Sequence, residues 1–160
     1  MTKKGRIALR VILTALSAAA VGFIFYNSSL DAVRSSEQSG SLLDSINAFL
    51  QSLGLGIELS DHFIRKTAHF VEYFVLGLLL SGTWYAYIGN RKKTLFLAPV
   101  CGLFVAVCDE LIQLGSAGRS CEVADMALDF SAVICAALAL TLILLAAQKK
   151  RERKEAAKNE

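Results

Sequence analysis

Four long apolar runs constrain the fold of this chain more than any other feature of its sequence. They cover residues 7–26, 67–88, 95–114 and 123–147. A helix needs about 20 mostly apolar residues to cross the hydrocarbon layer of a bilayer, and each run reaches that length. Hydrophobic residues make up 54% of the chain and charged residues only 19%, below the roughly one quarter that is typical of soluble domains. The sequence therefore predicts an all-α, polytopic membrane protein, a four-transmembrane-helix bundle.

The domain organisation follows from the same pattern. We interpret residues 1–150 as a single transmembrane domain and 151–160 as a basic cytoplasmic tail. The first run is preceded by three basic residues, so a cleaved signal peptide is an alternative to a retained anchor. Its apolar character continues through 21–26, which is longer than the hydrophobic region of a usual signal peptide. A retained anchor is therefore the preferred interpretation.

The distribution of basic residues predicts how the chain is oriented. With the N-terminus in the cytoplasm, four crossings return the C-terminus there, and 13 of the 17 Lys and Arg residues lie on that side. The other four are Arg34, Arg65, Lys66 and Arg119. Because basic residues accumulate on the cytoplasmic side of membrane proteins, we predict an N-in, C-in topology. The same explanation accounts for the basic chain ends without a nucleic-acid partner.

The first outer loop contains a polar stretch and then an amphipathic pattern. Residues 27–41 are rich in serine and are expected to form a solvated linker. A helix is predicted from Ser41, where Ser41 and Asp44 have the spacing of a capping box, and it ends near Gly54. Its apolar face is formed by Leu42, Ile46, Phe49, Leu50 and Leu53. This helix either lies on the outer membrane surface or packs against the bundle.

Ionisable and polar residues stand at the outer ends of the last three runs. On the second run, Lys66, His69, Glu72 and Tyr73 share one face. The third run carries Asp109, Glu110 and Gln113, and the fourth follows Arg119 and Ser120 with Glu122, Asp125 and Asp129. At about 1.5 Å per helical residue, these groups lie at similar depth. They are therefore predicted to form one outward-facing polar pocket.

That pocket carries an excess of acid. Lys66 and Arg119 oppose six carboxyl groups, so full ionisation leaves a formal charge of minus four. Shared protons, a protonated His69, a divalent cation or a cationic ligand are the alternatives for balancing this charge. The alternative is a purely structural role, in which ion pairs fix the register of the helices and Tyr73 belongs to the aromatic belt of the membrane interface. The cytoplasmic halves of the spans are apolar, which argues against a transport path.

Ionisable residues within spans are costly and usually functional, so each receives a candidate role. The candidate acid/base residues are His69, Glu72, Asp109 and Glu110. The candidate ligand-binding residues are Lys66, Tyr73, Gln113, Arg119, Ser120, Asp125 and Asp129. No HExxH or CxxC pattern occurs, so the spacing matches no defined zinc motif, although a divalent cation remains possible. Catalysis therefore stays an open question at this level.

Small residues recur at four-residue spacing within the last three runs. The pairs are Gly77 with Ser81, Gly102 with Ala106, and Ala132 with Ala136. Such pairs allow transmembrane helices to approach closely. We therefore expect these positions to form the contacts between helices beneath the pocket.

Three motifs with specific spacing make the chain resemble the VanZ-like membrane protein family. They are Lys66-Thr-Ala-His69-Phe-Val-Glu72-Tyr73 followed by Leu76-Gly77, then Asp109-Glu110-Leu-Ile-Gln113, then Gly118-Arg119-Ser120 with Asp125 downstream. The resemblance covers most of residues 20–137. Many members carry Asn where this chain has Asp129, so the resemblance assigns no role to that residue.

The resemblance implies a setting and a class of partners. VanZ-like proteins lie in the bacterial cytoplasmic membrane and are linked to resistance against teicoplanin-type glycopeptides. The expected partners are membrane lipids, a lipid-linked envelope precursor or the glycopeptide itself. The resulting hypothesis is that the outward pocket binds or modifies an envelope component. An intramembrane enzyme that uses a divalent cation on a phospholipid or polyprenyl phosphate is the alternative.

Overall fold

A computed structural model describes residues 2–118 and 122–157, with the backbone alone at Gln38. Those residues form five helices and no strand. The helices are α1 (Lys3–Ser29), α2 (Ala32–Ser52), α3 (Asp61–Ile88), α4 (Arg91–Leu114) and α5 (Val123–Ala156). Of these, α1, α3, α4 and α5 are long and apolar enough to cross a membrane. The predicted fold class, a four-transmembrane-helix bundle with a further helix in the first loop, is confirmed.

Polar residues immediately before the helices set where four of them begin. The side chains of Thr2, Asp31, Ser60 and Asn90 each accept a hydrogen bond from a backbone N–H in the first helical turn. This contact satisfies a donor that has no partner within the helix. Gly89, with φ of 68°, ends α3 in a left-handed conformation that glycine adopts without strain.

Helix α3 lies at the centre of the bundle, where it packs against α1, α4 and α5. The close approach depends on the small residues predicted for it. A Cβ atom at Gly77 would lie 2.8 Å from the Ala136 Cβ, and one at Gly102 would lie 2.6 Å from Val133 Cγ1. Ser81, like Ala106, Ala132 and Ala136, is fully buried. These pairs therefore bring α3 and α4 against α5, as the spacing predicts.

The two ends of the bundle differ in character. At one end, which we call the basic end, Arg10 donates to the carbonyl of Ala86 at 2.9 Å and Arg91 donates to Gln148 at 2.6 Å. At the opposite end, the acidic end, the Ser116 hydroxyl donates to the carbonyl of Ser28 at 3.0 Å. The basic end gathers the start of α1, the last turns of α5 and the α3–α4 connection. The predicted site residues lie at the acidic end.

The prediction of a linker over 27–41 is wrong. Helix α1 extends to Ser29, and α2 begins at Ala32 behind the Asp31 cap. Ser41 lies inside α2 and is not its N-cap. Serine has a modest helix propensity, and here an early cap together with serine hydroxyls that bond back to helix carbonyls accommodates the polar stretch. The predicted end near Gly54 agrees with the structure, because that glycine has φ of 73°.

Helix α2 is attached to the rest of the protein by few polar contacts. Ser39 donates a short hydrogen bond to Asp61 at the start of α3. Asn47 exchanges two hydrogen bonds with the backbone of Leu59, at 2.9 and 3.3 Å. Its apolar side chains remain outside the core, and Phe49 is 62% exposed. Helix α2 therefore contacts the start of α3 through polar residues, while its apolar face is not covered by the rest of the described chain.

Helix α5 continues beyond the predicted span. The apolar run ends near residue 147, whereas the helix reaches Ala156. The added residues include several of Lys, Arg, Glu and Ala, which favour helix without needing burial. Most of the predicted basic tail is therefore helical.

Candidate functional site

A polar cavity opens where α3, α4 and α5 meet at the acidic end. Its volume is about 120 Å³. The lining residues are His62, Arg65, Lys66 and His69 from α3, Glu110 and Gln113 from α4, Gly118 and Glu122 from the connection, and Asp125, Leu128 and Asp129 from α5. Most of them carry polar or ionisable side chains. The cavity is therefore suited to a polar group and not to an acyl chain.

Helix α4 supplies the most deeply buried polar residues. Asp109 is fully buried, Glu110 is 1% exposed and Gln113 is 7% exposed. Gln113 lies one turn after Asp109 and donates from Nε2 to its Oδ2 at 3.2 Å. The backbone N–H of Glu122 donates to Glu110 Oε2 at 3.0 Å, which ties the α4–α5 connection to the cavity wall. Helical i, i+4 spacing therefore places Gln113 as the orienting group for Asp109.

Helix α5 contributes two carboxyl groups in different surroundings. Asp125 lies at the mouth of the cavity, 2.8 Å from Lys66 Nζ, and both side chains are 33% exposed. Asp129 lies one turn deeper and is only 1% exposed. Within the described part of the chain, its Oδ1 has no hydrogen-bond partner. The mouth therefore holds a solvated ion pair, and the interior holds a carboxyl group with an unsatisfied oxygen.

The four polar residues predicted to share a face of α3 divide between three surroundings. Lys66 and His69 line the polar cavity. Glu72 faces α1, where it accepts a hydrogen bond from Asn27 Nδ2 at 2.9 Å, beside a second cavity of about 170 Å³. Tyr73 points into the core and is 0% exposed. The aromatic-belt interpretation of Tyr73 is therefore wrong, because its ring packs among the helices and its hydroxyl lies next to Asp109.

His69 lies between the two cavities and contributes to both. One ligand-type atom from each of His69, Asp109 and Asp129 lies within 4.8 Å of the others. The three residues belong to three different helices. Groups of this type and separation are able to share a proton or a cation.

Two predicted ligand-binding residues, Arg119 and Ser120, lie outside the described residues. The described backbone approaches them through Gly118, which has φ of 75°. The described cations of the cavity are Arg65 and Lys66. Against them stand Glu110, Glu122, Asp125 and Asp129. With both cavity histidines neutral and the four carboxyl groups ionised, these described groups carry a net charge of minus two.

Sequence reasoning missed the contribution of α1 to the acidic end. Asn27 reaches Glu72, and Ser28 is fully buried with its carbonyl accepting from Ser116. Their signal in the sequence is a cluster of polar residues directly after an apolar run. We predicted that cluster to be a linker, because hydropathy does not show that α1 continues through it. His62 and Arg65 were also missed as cavity residues, and both lie in the first turns of α3.

Comparison with known proteins identifies the family. Neither a search of curated proteins nor a search of solved structures gives a match. The profile of the VanZ/LLP1 family matches residues 13–145, which is most of the chain and includes all three motifs. With four candidate membrane spans and this match, the protein is a multi-pass membrane protein that belongs to the VanZ/LLP1 family.

Proposed function

We propose that the polar cavity binds the phosphate-bearing head group of an envelope lipid or lipid-linked precursor. The observation that carries this proposal is the arrangement of Arg65 and Lys66 in the lining of a polar cavity of about 120 Å³, at the end of a bundle with four candidate membrane spans. Side chains at this depth meet lipid head groups. Lysine and arginine bind phosphate through charge-assisted hydrogen bonds. A lipid entering from the bilayer keeps its acyl chains among the exposed apolar side chains of the helices.

In this proposal the acidic end faces the outside of a bacterial cytoplasmic membrane. The support is the placement of 13 of the 17 basic residues on the opposite side of the four predicted spans. Occupying or altering an outer head group lowers the access of teicoplanin-type glycopeptides to the membrane surface. This consequence connects the cavity to the resistance that the family resemblance implies.

Lipid binding by the purified full-length chain in detergent tests the proposal. The probes are phosphatidylglycerol and a short polyprenyl phosphate, with diacylglycerol and the matching polyprenol as controls without phosphate. Native mass spectrometry gives the bound fraction at each lipid concentration. We expect the phosphorylated lipids to bind and the two controls to bind at least tenfold more weakly. Equal binding of both sets would contradict the proposal.

Lys66→Met and Lys93→Met form a matched pair for this assay. Both replace a lysine that water reaches; Lys66 is partly exposed, whereas Lys93 is exposed and lies at the basic end. A charge-assisted hydrogen bond contributes about 1.5–3 kcal/mol, so Lys66→Met is expected to weaken phosphate-lipid binding roughly 10- to 100-fold. Lys93→Met is expected to bind as the unmodified chain does. The same loss in both variants would refute a role for the cavity.

A cell assay addresses the link to resistance. His69→Ala, Glu110→Ala and the unmodified chain are expressed at matched membrane levels in a teicoplanin-sensitive bacterium. Both variants are expected to lose any tolerance that the unmodified chain confers. If both keep it, the cavity is not the feature responsible.

A second candidate function is an intramembrane enzyme acting on the same phosphate group. The observation that favours it is the position of His69 and Glu110 beside Lys66, since acid/base groups next to a phosphate-binding cation are typical of phosphoryl-group chemistry. Phosphorus analysis of the lipid after incubation with the protein separates binding from reaction. A chemically unchanged lipid that still binds favours the first candidate.

A further inference from the structure

Three helices each contribute one metal-binding type of side chain to a cluster that adjoins the polar cavity. His69 comes from α3, Asp109 from α4 and Asp129 from α5. Their ligand-type atoms all lie within 4.8 Å of one another. Two ligands bonded at about 2.1 Å to one tetrahedral ion lie roughly 3.4 Å apart. Side-chain movements on the order of 1 Å would therefore bring all three into one coordination sphere.

Each of the two carboxyl groups in this cluster is buried with one oxygen that accepts no hydrogen bond. Asp129 is 1% exposed, and its Oδ1 has no hydrogen-bond partner within the described part of the chain. Asp109 is fully buried, and Gln113 satisfies its Oδ2 while Oδ1 has no hydrogen bond. Buried carboxyl oxygens nearly always have a partner, since leaving one unsatisfied is unfavourable. Each unsatisfied oxygen is therefore evidence for a group that binds there.

No lysine or arginine among the described residues supplies that partner. Lys66 is already paired with Asp125 at the cavity mouth. The Tyr73 hydroxyl lies beside Asp109 without the geometry of a hydrogen bond. Among residues 2–118 and 122–157, no Lys or Arg forms an ion pair with Asp109 or Asp129. A cation from outside the chain fits the cluster in charge and in ligand type.

We propose that His69, Asp109 and Asp129 bind one divalent cation. An imidazole nitrogen with two carboxylates is a ligand set that suits Mn²⁺ or Zn²⁺, whereas Ca²⁺ takes six to eight oxygen ligands. Gln113 orients the Asp109 ligand through its hydrogen bond, as groups around metal ligands commonly do. Binding places a positive charge between the two carboxyl groups.

The metal site also gives the cavity its second contact with a phosphate group. Three protein ligands leave coordination positions of the ion open, and His69 and Asp129 both line the cavity. A phosphate held by Lys66 at the mouth reaches the ion with a second oxygen. This step rests on the proposed function, whereas the metal site itself does not.

Metal binding is tested on the purified full-length chain in detergent after removal of metals with EDTA. Mn²⁺ is titrated and followed by the loss of its free-ion electron paramagnetic resonance signal, with Zn²⁺ added as a competitor. We expect one Mn²⁺ per chain, displaced by Zn²⁺ and not by equal Ca²⁺. Asp129→Asn and His69→Gln are expected to weaken Mn²⁺ binding at least tenfold. Asp44→Asn, the same change at an exposed position of α2, is expected to leave it unchanged.

Thermal unfolding distinguishes a lost ligand from a lost fold. Without metal, Asp129→Asn is expected to unfold at the same or a higher temperature than the unmodified chain, because one of several neighbouring carboxylates is gone. Mn²⁺ is expected to raise the unfolding temperature of the unmodified chain and not that of the variant. No Mn²⁺ or Zn²⁺ binding at millimolar metal, or equal binding by Asp129→Asn, would overturn the site.

The phosphate-lipid assay is then repeated with and without Mn²⁺. Stronger lipid binding with Mn²⁺, lost in Asp129→Asn, supports both the site and its role. Stoichiometric Mn²⁺ without any phosphate-lipid binding keeps the site and overturns the proposed function. Phosphate-lipid binding by a chain that binds no metal keeps the proposed function and overturns the site.

Discussion

Gly77 lies where α3 crosses α5, about two helical turns below His69. A Cβ atom there would lie 2.8 Å from the Ala136 Cβ and 2.9 Å from the Val133 Cα. Ordinary contacts of a Cβ begin near 3.4 Å. Val133 presents backbone at this point, so a rotamer change cannot relieve the overlap. Gly77→Ala therefore requires the two helices to separate by about 0.6 Å.

The loss of stability caused by this overlap can be separated from the change in helix propensity by making the same substitution at a second glycine. Overpacking of a well-packed contact typically costs about 1–3 kcal/mol. Alanine also stabilises a helix relative to glycine by up to about 1 kcal/mol. Gly22 in α1 is exposed, and a Cβ there meets nothing within 4 Å. Gly22→Ala therefore gains the propensity without the overlap, and the two variants should differ in unfolding free energy by about 1–3 kcal/mol.

The assay is reversible unfolding in mixed detergent micelles of rising SDS content, followed by the fluorescence of Trp84, the single tryptophan. We expect Gly22→Ala to be as stable as the unmodified chain or slightly more so, and Gly77→Ala to unfold at lower SDS. Because the overlap spreads α3 from α5, Gly77→Ala should also weaken ligand binding in the polar cavity. Equal unfolding of the two variants would refute the close packing of α3 on α5.

Two further substitutions test contacts outside the polar cavity. Asn47→Ala removes both hydrogen bonds to Leu59, each of which contributes about 0.5–1.5 kcal/mol. The backbone amides of residues 53–60 should therefore exchange their hydrogens faster in this variant. Gln51→Ala is the control, because the Gln51 side chain makes no hydrogen bond and its loss should leave the exchange rates unchanged. Asn27→Ala removes the donor to Glu72 and should lower the unfolding free energy by about 1–3 kcal/mol. Asn27→Asp should lower it further in the same SDS assay, because it sets a second carboxyl group against the first; the reverse order would contradict this contact.

The number and type of the main helices were predictable, because their cause is local. Each apolar run must satisfy its backbone hydrogen bonds internally in a membrane, and a helix does so regardless of its neighbours. The small-residue pairs were predictable for a similar reason, since a position such as Gly77 has few other uses in a buried helix. Helix α2 was only half predicted. Most of its first ten residues are polar, and the contacts of Ser39 and Asn47 at and just before the start of α3 are not visible in its periodicity.

The end of the bundle at which the polar groups gather was predictable, but their arrangement there was not. Depth along a helix follows from residue count, so the sequence places the polar groups at one end. Which groups meet depends on how each helix is rotated about its axis. Two residues counted on one face of a helix can lie about 100° apart around its axis, so a rotation that the sequence does not fix decides which neighbour each one meets. Glu72 and Tyr73 show the consequence, since one faces α1 and the other faces the core.

By itself, the amino-acid sequence determined four apolar spans, an expected orientation and an overcharged polar end. Hydropathy, basic-residue bias and helical rise are each properties of a single segment, so they need no knowledge of the partners of that segment. Only the tertiary structure decided that Lys66 pairs with Asp125 at the cavity mouth, while His69, Asp109 and Asp129 converge below it. Those distances arise from the packing of α3 and α4 on α5, where small residues let the helices approach closely enough for their side chains to meet.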